Sequence, residues 1–302
     1  MTQASTLGAD MEAELRSQPE TWARAVDLRA EQGLLPAAGQ RIAVVGCGTS
    51  WFMAQSYAAL RETAGLGVTD AFAASEAFVD REYDAVVALT RSGTTTEVLE
   101  LLEQLRASGS SARTVGVVGD PDSPLVDLVD DVIKLPFADE KSVVQTRFAT
   151  TSLALIRASL GENLDAAILD AHTAVDEELD DALVAADQYS FLGANWTVGL
   201  AHEAALKMRE ASQSWTESYP AKEYRHGPIA IAAPGRVTWM FGDAPAGLAD
   251  DVAATGAHFE NGTLDGMADL IRAQRVALAR ARRFELDPDH PRNLTRSVIL
   301  AP

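Results

Sequence analysis

The sequence predicts an α/β chain of parallel sheets flanked by helices, arranged as two successive units. Three observations predict it. Short apolar runs (RIAVVG at 41–46, DAVVALT at 84–90, RTVGVVG at 113–119) are each followed by a polar loop, and the first two then lead into a helix-length segment. Strands alternating with helical segments indicate parallel pairing. The same rhythm returns in the second half with QYSFLG at 188–193 and VTWMFG at 237–242. Finally, 302 residues of which 47% are hydrophobic suffice for two α/β cores.

Taken in order, residues 8–35 read as helical with a break at Pro19. The strand at 41–46 leads through Gly46-Cys47-Gly48-Thr49-Ser50 into a helix over 51–65. The strand at 84–90 leads through Thr90-Arg91-Ser92-Gly93-Thr94-Thr95 into a helix over 96–108. A third strand covers 113–119 and a fourth 131–135, stopped by Pro136. Residues 146–185 read as two helices, the second carrying the acidic run DEELDD at 176–181, a solvated face. The second unit comprises the strand at 188–193, a helix from about 196, the strand at 237–242 and the basic helix 268–283. The division is placed at 1–165 and 166–302.

Formal net charge is −19, which argues against a nucleic-acid-binding surface. Cys47 is the single cysteine, so no internal disulfide or cysteine-based metal site is expected. The N-terminus lacks a basic region followed by an apolar run, and no stretch reaches membrane-span length. A cytoplasmic protein without metal, cofactor or membrane partner is expected.

Two hydroxyl- and glycine-rich loops after consecutive strands point to a small anionic ligand. Glycine lets backbone approach it, free N–H groups at a helix start bind phosphate, and Arg91 adds charge. There is no GxxxxGK[ST] and no third glycine of GxGxxG. A phosphorylated small molecule therefore fits better than a nucleotide. A further polar loop, Glu140–Arg147, opens a helix.

The stretch 201–228, AHEAALKMREASQSWTESYPAKEYRHGP, sets Glu203, Lys207 and Glu210 at i, i+4 and i+7 on one helix face, with His226 before Gly-Pro. Spacing alone reads as a solvated ion-pair ladder. The alternative is a general-base and general-acid layout.

Together GCGTS, SGTTT, ALKMRE, EYRHGP and the tail motif PRNL resemble the sugar isomerase (SIS) domain family. The likeness is greatest to the isomerase half of glucosamine-6-phosphate synthase and to stand-alone aminosugar-phosphate isomerases and deaminases. The resemblance implies two flavodoxin-like, doubly wound SIS subdomains and a homodimer with shared active sites. By position it implies that Thr90, Arg91, Ser92 and Thr95 hold a sugar phosphate and that Cys47, Gly48, Thr49 and Ser50 contact the sugar. Val143 and Gln145 would close the pocket. Glu210 would move the proton between C1 and C2 with Lys207 in support, and His226, reaching in from the other subunit, would help open the ring.

One departure matters. The family's synthase carries a Schiff-base lysine in its tail, where this chain has Arg296, which cannot act as an amine nucleophile. No glutaminase half is expected either. The expectation is a hexosamine 6-phosphate enzyme that begins by C2 proton abstraction, an isomerizing deaminase or isomerase. Alternatives are a dehydratase (lyase) of the N-acetyl sugar that expels the C3 hydroxyl, a deglycase, or a non-catalytic phosphosugar-binding regulator. Arg296 is then expected to contact phosphate or a ring hydroxyl.

Overall fold

A computed structural model describes residues 7–300. In chain order the elements are α1 (Ala9–Arg16), α2 (Gln18–Val26), α3 (Arg29–Gln32), β1 (Ile42–Gly46), α4 (Thr49–Thr63), β2 (Thr69–Ala73), β3 (Ala85–Thr90), α5 (Thr96–Ala107), β4 (Arg113–Val118), β5 (Asp131–Lys134), α6 (Arg147–Ser159), α7 (Asp165–Asp176), α8 (Asp181–Ala185), β6 (Gln188–Gly193), α9 (Thr197–Ser212), β7 (Trp215–Pro220), β8 (Arg236–Phe241), α10 (Leu248–Ala254), β9 (His258–Glu260) and α11 (Gly266–Arg283). The chain forms two compact units, each assembled from separate stretches.

The first-sheet unit comprises Glu20–Glu140, Arg147–Leu164 and the segment from Thr295 onward. Its five strands are all parallel, in the order β2-β1-β3-β4-β5. This is the doubly wound order in which the chain reverses direction between β1 and β3, so the loops after those two strands flank the crevice where ligands settle. β1 and β3 are buried at every position, as expected for central parallel strands.

The second-sheet unit holds the chain up to Pro19, Lys141–Thr146 and Asp165–Leu294. Its four parallel strands run β7-β6-β8-β9, the same order one strand shorter. Tyr189, Phe191, Trp239 and Phe241 stack on the central strands with ring centroids 6.0–6.3 Å apart. Two arginines of the basic helix α11, Arg272 and Arg280, are spent inside this unit. Arg272 bonds Glu177, Glu260 and Asp269, and Arg280 donates to Ser214 Oγ and to the Val184 carbonyl.

The two units share a local device. Each first strand ends in a glycine beneath the start of the next helix. A Cβ on Gly46 would lie 2.7 Å from Ser50 Cβ, and one on Gly193 would lie 2.3 Å from the Thr197 carbonyl oxygen. Only hydrogen at these positions lets the helix start directly above the strand end.

The expected central strands and long helices all form. Pro19 does not break the N-terminal helix. The interruption falls at Ser17, and Pro19 sits in the first turn of α2, where its missing N–H costs nothing. The strands missing from the sequence reading are β2, β7 and β9. All three lie at sheet edges, where one flank is open and a continuous apolar run is not required.

Candidate functional site

In the first-sheet unit, Gly48 caps α4 with φ 52° and ψ −123°, a conformation that favours glycine. Thr49 and Ser50 follow it, both buried. The Cys47 thiol is pushed up to about 11 by burial and by the nearby Glu97 carboxylate, so it stays protonated at neutral pH.

The loop after β3 is closed by Thr90 Oγ1, which accepts from the Gly93 N–H at 3.2 Å. Thr90, Arg91 and Ser92 are all buried. Arg91 is already engaged: it donates to the Arg296 carbonyl at 2.5 Å and lies 3.9 Å from the buried carboxylate of Glu140. Glu140 in turn accepts from the Arg147 and Phe148 N–H groups, capping α6. Ser92 and Thr94 donate to Ser297 Oγ at 3.1 and 2.9 Å, with Thr95 Oγ1 3.5 Å from the same atom. Arg296 itself donates through Nη2 to Asp139 at 2.5 Å and through Nε to the Glu140 carbonyl at 3.1 Å. Within this unit the structure thus brings Thr90, Arg91, Ser92, Thr95 and Arg296 together. Sequence reasoning missed Glu140, Asp139 and Ser297 as individual members. No local pattern marks them, because the tail joins the loop from more than 200 residues away.

In the second-sheet unit, α9 carries the charged stripe. Glu203 and Lys207 are buried, at 0% and 1% exposure, so the solvated-ladder reading fails. Lys207 Nζ lies 3.5 Å from Glu203 Oε1 and donates to Glu210 Oε2. Glu210, whose side chain keeps 20% exposure, borders a cavity of about 320 Å³ also lined by Gln213, Glu285, Asp287, His290 and Arg292. The buried ammonium therefore bridges a wholly buried carboxylate and one that reaches a cavity. A carboxylate so placed can take a proton from a bound carbon acid, with the ammonium positioning it.

His226 ends a 3₁₀ turn, Glu223–His226, and is exposed. Val143 and Gln145 lie on the Lys141–Thr146 segment. That segment is tied down by the Lys141 N–H on Glu14 Oε1 at 2.5 Å and by Ser142 Oγ on the Pro288 carbonyl at 3.3 Å. At the second sheet's own switch point a threonine ties the ends of β6 and β8 together. Thr197 Oγ1 accepts from the Ala194 N–H at 2.8 Å and lies 2.9 Å from the Phe241 carbonyl oxygen.

Among the described residues no helix is long and apolar enough to cross a membrane. Comparison with known proteins gives concordant results. The family model for the SIS domain matches residues 35–160. The glutamine–fructose-6-phosphate aminotransferase (isomerizing) of a Nostoc species is 26% identical over 99% of this chain and 58% of its own length. The enzyme of the same name from Thermus thermophilus is 31% identical over 68% of this chain and 39% of its own length. The chain spans about half the length of the curated relatives it matches. Among solved structures, glucosamine-6-phosphate deaminase from Thermotoga maritima superposes with a TM-score of 0.81 at 23% identity, covering 95% of this chain and 99% of its own. Tagatose-6-phosphate ketose/aldose isomerase from Escherichia coli gives 0.75 at 18% identity, covering 96% of each chain. These likenesses at low identity speak for the fold, and with the family match they make this chain a member of the SIS domain family.

Proposed function

We propose that the protein is a phosphosugar enzyme of the isomerase type. Its reaction starts with proton abstraction at C2 of an open-chain hexosamine 6-phosphate and ends, with glucosamine 6-phosphate, in fructose 6-phosphate and ammonia. The observation that carries this reading is Glu210, a carboxylate at a cavity held by the buried Lys207 ammonium. In the open-chain aldose the C1 carbonyl acidifies the C2 hydrogen. Glu210 takes that proton, the electron pair forms a C1–C2 double bond, and O1 gains a proton. Return of the proton to C1 gives a 2-imino sugar. Water adds to its carbon and ammonia departs, leaving the ketose.

The hydroxyl-rich loop after β3, with Ser92 and Thr95, is assigned the phosphate. The GCGTS loop, with Cys47 through Ser50, is assigned the sugar hydroxyls, and Val143 and Gln145 the closing wall. We assign ring opening to His226, contributed by a second copy in a homodimer. All four relatives and neighbours described above carry names of 6-phosphosugar enzymes, two isomerizing aminotransferases, a deaminase and a ketose/aldose isomerase, which supports the same class. Arg296 stands where the synthase lysine would be needed, and its side chain is bonded to Asp139 and Glu140. Both facts favour the deaminating direction over amination.

The test is direct. Purified protein incubated with glucosamine 6-phosphate is expected to yield fructose 6-phosphate and ammonia in the NMR spectrum. With N-acetylglucosamine 6-phosphate no unsaturated product is expected. An unsaturated product from the acetylated sugar alone would replace the deaminase by a dehydratase. No turnover of either would overturn both the deaminase and the dehydratase and favour a deglycase or a phosphosugar-binding protein.

A further inference from the structure

We propose that the C-terminal tail is a built part of the anion site in the first-sheet unit, with Ser297 supplying a further hydroxyl ligand to the phosphate. This rests on the phosphosugar reading of the loop after β3. The tail from Arg296 to Leu300 is anchored by contacts that do not involve the Ser297 hydroxyl. Arg91 donates to the Arg296 carbonyl at 2.5 Å. The Arg296 guanidinium is held by Asp139 and by the Glu140 carbonyl. The Thr96 N–H, first in α5, donates to the Val298 carbonyl at 3.2 Å, and the Leu300 N–H returns a bond to Thr96 Oγ1 at 2.9 Å. Backbone bonds on both sides of residue 297 thus fix where its side chain points.

That side chain lies among the loop hydroxyls, 3.1 Å from Ser92 Oγ, 2.9 Å from Thr94 Oγ1 and 3.5 Å from Thr95 Oγ1. Ser297 Oγ accepts from Ser92 and Thr94. A hydroxyl that accepts bonds is polarised into a stronger donor toward a third partner. A phosphate beside this cluster would find Thr95 and Ser297 as donors from two chain segments, with Ser92 a third when its single hydrogen turns from Ser297 to the anion. The arrangement also redefines Arg91. Its charge is met by Glu140 and its reach is used on the tail, so it is a positioning residue that places Ser297 and not itself a ligand.

The experiment is calorimetric titration of the full chain with inorganic phosphate, comparing wild type, Ser92→Ala, Ser297→Ala and Ser297→Thr. Loss of a hydrogen bond to a charged acceptor is expected to weaken binding about tenfold in Ser297→Ala and at least as much in Ser92→Ala. Ser297→Thr, which keeps the hydroxyl, is expected to recover most of the affinity. If Ser92→Ala weakens binding while Ser297→Ala leaves it unchanged, the tail is not a ligand. If Ser297→Ala binds more tightly, the tail competes with phosphate, which also overturns the proposal. If Ser92→Ala has no effect, the phosphate reading of the loop fails and this inference falls with it.

Discussion

Glu210→Gln is expected to lower turnover of glucosamine 6-phosphate by about a thousandfold while leaving substrate affinity within about twofold, as for loss of a general base. The amide is the same size and can still accept from Lys207, so the α9 packing survives. What disappears is the capacity to take a proton. The side chain borders a cavity and is partly exposed, so the substitution strands no buried charge there. The measurement pairs single-turnover rates with equilibrium binding of the same sugar phosphate. A variant with full activity would remove Glu210 from the chemistry and leave the stripe purely structural. A variant that loses binding as well as turnover would make Glu210 a substrate anchor.

Lys207→Met is expected to damage both stability and activity, and by different routes. Lys207 is 1% exposed and its ammonium lies 3.5 Å from Glu203, which is wholly buried. Removing the cation leaves that carboxylate charge uncompensated by Lys207 in a low-dielectric interior, at a cost of about 3 kcal/mol. The urea midpoint should fall with the slope little changed. Turnover should fall as well, because Glu210 loses the donor that orients it. The double variant Glu203→Leu with Lys207→Met removes the buried charge together with its partner. It should recover most of the stability, as apolar replacement of buried ion pairs commonly does. It should not recover the activity. Unchanged stability in Lys207→Met would show that Glu203 does not depend on it.

These expectations show where sequence reading reaches and where it stops. Central strands announce themselves, because β1, β3, β6 and β8 are flanked on both sides and read as apolar runs. The edge strands β2, β7 and β9 carry polar residues and leave no such mark. The glycine and hydroxyl loops were visible for the same reason as the strands: their composition is a local property. Spacing placed Glu203, Lys207 and Glu210 on one face but said nothing of what covers that face. The ordinary inference from charge, a solvated ladder, was wrong at two of the three positions. In the same way, the arginines of α11 read as a basic stripe, yet Arg272 and Arg280 are consumed by partners within their own unit.

The amino-acid order alone determined the α/β class, the two strand–loop–helix units, the anion-type loops and the identity of the one carboxylate–lysine–carboxylate stripe. Only the tertiary structure decided that Lys207 is a buried bridge, that Arg91 and Arg296 hold the tail, and that Ser297 sits among the hydroxyls of a loop some 200 residues earlier. The physical reason is range. Strand and loop signals arise from residues a few positions apart, whereas the state of a charge or hydroxyl depends on which distant segments exclude water from it and which donors they bring.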